Sequence, residues 1–190
     1  LSAVVDDIYN RINEVLNAWE SGYRDEFVND SRTSGGSSIY FYYNQFVKSF
    51  ELIKQFKLGL PAGLRVGQSE IRPDQLETRY LNIAHDLLYR HLEVTERIWF
   101  GKSTDGVNGV GFDDFLTALG ETELRDETIE SIEEVNSSVG SITDLQNDLV
   151  NNTEVVIEAV NQLQRHTAFY KSKLHVKIGV SLAGGDGDGD

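Results

Sequence analysis

Apolar residues recur at steps of three and four through most of this chain, the period of a helix with one dry face. The first run is Val4, Val5, Ile8, Ile12, Val15, Leu16 and Trp19, with Asp6, Asp7, Asn10, Arg11 and Glu14 opposite, and it predicts a helix over 3–20. A polar loop rich in Ser and Gly is expected from Ser21 to Ser38. Tyr43, Phe46, Val47, Phe50, Ile53 and Phe56 predict a second helix over 40–58, which Gly59, Pro61 and Gly63 then break. Its start is a run of four aromatics, Tyr40 to Tyr43. Only one or two of them can face a core, so the rest either cover a second surface, such as another domain, or pack at the core boundary.

After an irregular stretch in which Pro73-Asp74-Gln75 opens a short helical turn, Ile83, Leu87, Leu88, Leu92, Val94, Ile98 and Trp99 predict a helix over 81–99. A Gly-rich loop over 101–111 leads into a short helix from Asp113 through Phe115, Leu116 and Leu119. Two long helices follow, over 123–139 and 145–174. The β-like run 176–182 reads as the frayed end of the last one, and no strand alternation of useful length occurs. The fold class expected is all-α, an up-and-down four-helix bundle with long irregular connections over 1–183. A disordered Gly/Asp tail is expected over 184–190.

Composition narrows the partners. The chain has 190 residues with 17 basic against 31 acidic side chains, a formal net charge of -14. With Lys and Arg scattered singly, so acidic a surface repels phosphate backbones and anionic membranes, and no nucleic-acid partner is expected. Cations are the ligands it tolerates best. There is no Cys, which removes disulfides, thiolate-ligated zinc and thiol catalysis. There is no Met either, so the chain is expected to be a processed product or a piece of a longer protein, with any export signal upstream of Leu1. No apolar run is long enough to span a membrane.

Candidate chemistry is sparse. His85, His91, His166 and His175 sit on helices or near a helix end, and no Ser or Asp stands in a recognisable nucleophile elbow. The metal candidates are His85, His91, Glu93 and Glu96 on the third helix, where Glu93 and Glu96, three apart, offer hard oxygen donors to a hard cation. The plainer account of that face is solvated ion pairing, Glu93 with Arg97, and His91 beside Thr95. A di-iron bundle would need Glu-x-x-His on facing helices, which is absent. The tail 186–190 has the look of half a calcium loop, but the closing Glu is missing, and a solvated acidic tail is the simpler reading.

Five features in order give the chain a family resemblance. They are KLGLPAG at Lys57 to Gly63; Pro73 followed by Leu76-Glu77 and Arg79-Tyr80; a long helix ending in Trp99-Phe100-Gly101; GVGFDDFL at Gly109 to Leu116; and two long helices before IGVSLAGGDGDGD. From about Tyr40 on, this resembles the second half of the imelysin-like proteins. The resemblance implies half of a two-bundle fold, residence in the periplasm or on a lipoprotein anchor of the cell envelope, and a link to iron uptake. The cofactor it suggests is iron or another divalent metal. The partner it suggests is an upstream helical bundle of the same protein or a second envelope component. Mapped onto the matched motifs, the ligand-binding candidates are Glu77, Arg79, Tyr80 and Asp113, with Asp113 equally suited to capping a helix. The family's GxHxxE motif, tied to a proposed metallopeptidase activity, is absent: the four histidines are followed at that spacing by Leu88, Val94, Phe169 and Ile178. Leu76 stands where the family has Val, and Tyr80-Leu81-Asn82 where it commonly has Tyr-Ser-Gly. The leading expectation is a binding protein that forms one wall of a ligand cleft for iron, an iron complex or a peptide, with no catalytic residues of its own. A metal-dependent peptidase whose motif lies in another half, and a purely structural partner-binding bundle, are the alternatives.

Overall fold

A computed structural model describes residues 2–184. The fold is all-α, with no strand among these residues beyond an isolated antiparallel bridge between Lys102 and Asn108. The helices are α1 Ser2–Ala18, α2 Arg24–Asn29, α3 Ser38–Leu52, α4 Ala84–Trp99, α5 Phe112–Ala118, α6 Thr122–Gly140, α7 Leu145–Asn151, α8 Thr153–Ala168 and α9 His175–Ile178. π-helical turns at Ile53–Gly59 and Phe169–Leu174 extend α3 and α8, a kink at Gly22 within Trp19–Tyr23 joins α1 to α2, and a 3₁₀ turn covers Pro73–Gln75. The tail expectation, beyond Gly184, lies outside the described residues.

The bundle is built from α3, α4, α6 and α8, and each buries the stripe its sequence offers. On α4 these are Ala84, Leu88, Leu92, Thr95 and Trp99; on α6, Leu124, Thr128, Ser131, Ile132, Val135 and Val139. On α8 the buried set Val156, Ala159, Leu163, His166 and Thr167 continues through the π turn as Tyr170 and Leu174. Fully burying one such large apolar side chain contributes roughly 1.5–3 kcal/mol. At the centre lies an aromatic knot. Phe46 sits 4.8 Å from Tyr170 and 5.2 Å from Phe112, centroid to centroid, and Trp99 sits 5.9 Å from Tyr170. The Tyr43 hydroxyl donates to the Tyr170 carbonyl oxygen at 2.7 Å, joining α3 to the π turn that follows α8.

Several expectations change. The helix expected over 145–174 is two, because Asn152, with φ -146 and ψ 48, breaks the helical path between α7 and α8. The third helix starts at Ala84 and not Leu81, since Asn82 holds φ 50 and cannot sit in an α-helix. Val94 points to solvent. The loop expected over 21–38 holds α2 within it. Of the run 176–182, Val176 to Ile178 do end the last helical stretch, as α9; Gly179, at φ 75, closes it in the left-handed region, and the remainder leaves as a non-helical strap. Val180 is buried there, and the Asn44 amide clasps the strap, donating to the Ser181 carbonyl at 3.1 Å and accepting from the Ala183 N–H at 2.7 Å.

The first helix forms as its period requires, yet it buries none of its residues. Its apolar stripe stays open, with Val15 70 %, Ile12 61 % and Ile8 52 % exposed. The aromatic start of α3 is met instead by α2, through Phe27 edge-on to Tyr42 at 6.4 Å.

The KLGLPAG segment folds as a wound turn in which Gly63, at φ 71, faces the Glu70 carbonyl so closely that a Cβ would collide with that oxygen. We expect Gly63→Ala to cost more than about 1 kcal/mol, from the strained φ and the clash together. Urea denaturation of the variant checks this, and an unchanged midpoint would contradict the packing described.

Candidate functional site

Helices α4 and α6 diverge to leave an open cleft of about 720 Å³, lined by Asp86, Tyr89, Arg90, Leu92, Glu93, Glu96 and Asn136. Helical spacing along α4 places Asp86, Arg90, Glu93 and Glu96 along one wall. Asn136 comes from α6 and hydrogen-bonds Glu96. Burial pushes the Glu96 carboxyl up from its ordinary pKa, opposed by the Asn136 bond, with the Glu93 charge adding to the rise. Glu93 behaves oppositely. Arg90 at 2.8 Å and Arg97 at 2.7 Å clamp it and hold its pKa down. The expected Glu93–Arg97 pair is therefore present.

Glu96 also lines a small enclosed space beneath the cleft, with Thr95, His166 and Tyr170 around it. His166 is fully buried, its Nδ1 3.0 Å from Ser131 Oγ and its Nε2 2.6 Å from Tyr170 Oη. Both ring nitrogens are thus satisfied, as a buried imidazole requires. Burial lowers its pKa to about 3, so the ring is neutral through the physiological range. Burial also raises the Tyr170 phenol, and the nearby Tyr43 and Glu96 add to the rise. At the surface the cleft therefore offers carboxylates and an amide, and beneath its floor a neutral Ser–His–Tyr chain.

The other predicted residues do not gather here. His91 turns to the opposite side of α4, where its Nε2 lies 2.7 Å from Ser49 Oγ on α3; burial, then Lys57, lowers its pKa, against a smaller pull from Glu77. It does not pair with Thr95, whose hydroxyl donates to the Leu92 carbonyl. His85 stacks edge-on against Tyr89 at 4.7 Å. Glu77 binds Lys57 in an ion pair. Arg79 lies over the Tyr80 ring at 5.4 Å on a loop so prominent that Tyr80 is 92 % exposed.

Asp113 stands at the far end of α4 from that loop, about 24 Å of helix away. It is not the cap of α5. Gly111 occupies that position and its N–H donates to Asp114 at 3.2 Å. One Asp113 oxygen is buried without a hydrogen bond, and burial raises its pKa. Glu77, Arg79 and Tyr80 thus share one loop, and Asp113 is separate. Of the metal candidates, Glu93 and Glu96 share the cleft, while His91 faces away. Among the described residues no group of three or more His, Cys, Asp or Glu side chains comes close enough to hold a metal ion.

Of the four successive aromatics, Tyr43 is fully buried and Tyr40 half-buried, while Phe41 and Tyr42 remain exposed. Tyr42, Ile39, Ile98, Val110, Phe112 and Phe115 line a shallow apolar groove of about 200 Å³. Sequence reasoning missed Ser131, Asn136 and Tyr170, and named His166 without giving it a role. A signal existed for one pair: His166 and Tyr170 are four apart on the face that also carries Leu163 and Leu174. Compared with known proteins, the chain matches no family model, no curated protein and no solved structure.

Proposed function

We propose that this chain is a ligand-binding helical bundle of the bacterial cell envelope, imelysin-like in character and linked to iron uptake, and that it forms one wall of a cleft completed by a second helical bundle. The α4–α6 cleft is the observation that carries this reading. Three carboxylates, Asp86, Glu93 and Glu96, line it with one cationic side chain, Arg90, in a chain of net charge -14. Carboxylates of this kind attract hard cations and their complexes, and since no three of them converge among the described residues, the completing bundle or the complex's own ligands would supply the remaining donors. The ordered series of motifs from Lys57 to the Gly-Val end supports the family reading, and the exposed Phe41, with the exposed Tyr42 that lines the apolar groove, supports a covering partner.

Glu96 is the residue on which the reading is most easily tested, because burial already favours its protonated form. A proton and a cation compete for it at a higher pH than at an ordinary glutamate. Calorimetric titration with ferrous, ferric-citrate, zinc and copper ions should therefore show binding at neutral pH that weakens on mild acidification. Glu96→Gln should reduce that binding about tenfold, the loss of one charged ligand. If no ion binds, or if Glu96→Gln binds as the parent does, direct coordination in this cleft is ruled out.

A further inference from the structure

We propose that α1 is a self-association helix, and that its open stripe packs against the same stripe of a second copy of this chain. The inference goes beyond the ligand reading and stands or falls independently of it. Val5, Ile8, Ile12, Val15 and Trp19 follow one another at intervals of three, four, three and four. That is the seam spacing of paired helices, in which each apolar knob enters a hole on a like neighbour. Among the described residues no such neighbour covers it, since every residue of α1 is unburied.

Charge placement favours an identical partner. A chain of net charge -14 repels its own copies wherever acidic faces meet. On α1 the acids Asp6, Asp7 and Glu14 all lie on the side away from the seam. The positions flanking it are Val4, Tyr9, Arg11, Leu16 and Ala18, which carry one charge, and that charge is positive. Arg11 is itself drawn to Asp7 at 2.9 Å, toward the outer face. Two copies can therefore bring their seams together without opposing acids.

The area is of the right order as well. Of the eight exposed apolar side chains from Val4 to Trp19, the seven other than Tyr9 present roughly 700 Å² per copy, close to the about 800 Å² that each partner gives a standard interface. Gly22, at φ 129, kinks the chain just after α1, in a backbone region that glycine adopts without penalty.

The test is sedimentation equilibrium on the full chain over the micromolar range, beside an Ile8→Asp/Ile12→Asp double variant and a Glu14→Lys control. Because both isoleucines are exposed in the single copy, the double variant folds, and helical circular dichroism verifies that. The expected result is a dimer for the parent and for Glu14→Lys. In the double variant the dissociation constant rises about 10,000-fold, tenfold for each of the four isoleucines the dimer loses, two from each copy. A parent that remains monomeric, or a dimer that survives the double substitution, overturns the proposal. So does a dimer dissolved equally by Glu14→Lys, which would place the contact elsewhere.

Discussion

Replacing Glu51 by leucine is expected to lower stability by about 3–5 kcal/mol, the penalty for leaving a buried charge without its partner. Glu51 lies on the buried face of α3 one turn before Lys54, which is only 3 % exposed, and their charged atoms are 2.8 Å apart. Lys171, from the π turn after α8, approaches the other carboxylate oxygen at 3.5 Å. Removing the carboxylate strands the Lys54 ammonium in a space built for a pair, with another lysine nearby. Removing both charges tests the account more sharply. A Glu51→Leu/Lys54→Met variant should regain most of the loss, because well-packed apolar residues often match or exceed a buried ion pair. Guanidinium denaturation of the two singles and the double closes the cycle. A double variant no more stable than Glu51→Leu would show that the loss came from packing and not from the stranded charge.

The second large effect is on the acid side. His166 binds a proton in the unfolded chain near pH 6.5 but resists one in the folded state down to about 3. The folded pKa is depressed, so the unfolded chain binds more protons at acid pH. Its contribution is complete above pH 6.5 and is lost as pH falls through the window from about 6.5 to 3. The full loss is on the order of 5 kcal/mol, because each pH unit across that window is worth about 1.36 kcal/mol. Carboxylates titrate in the lower part of that window, so the informative quantity is a difference. Chemical denaturation at pH 7 and near pH 4.5 should show a steeper decline for the parent than for His166→Gln, which keeps polar contact with Ser131 and Tyr170 without a titrating group. Equal declines would mean that the imidazole takes up its proton without unfolding the bundle.

What could be read from the chain divides along a physical line. Periodicity reports which face of a helix is apolar, and for α3, α4, α6 and α8 that face is the core. It does not report what covers the face, and α1, with an equally clean stripe, is left uncovered by the described residues. Local breaks were legible where Gly and Pro write them, as in the Gly59 to Gly63 turn. The break at Asn152 was not, because Asn is tolerated within helices and only its context forces it out. The π turn at Phe169–Leu174 carries no Gly or Pro and no other composition signal. For the site, the ion pair of Glu93 with Arg97 followed from spacing along one helix, while Glu96, His91 and His166 each take a partner from another helix. Asn136, Ser49 and Ser131 are ordinary residues until packing brings them near, which is why the polar chain under the cleft escaped the sequence.

The hydrogen bond from Tyr43 to Tyr170 and the clasp of Asn44 on the terminal strap have a consequence for synthesis. They join residues separated by 127 and 137 positions in the chain. At about 5–20 residues per second, roughly ten seconds pass between the making of the two ends. During that interval α3, the most aromatic helix, has no partner from α8, and contacts of such long range form late. Phe27 and Phe112 can meet the aromatic residues of α3 sooner, but the part of that face which Tyr170 covers, at Phe46 and Phe50, stays open until the segment after α8 is made.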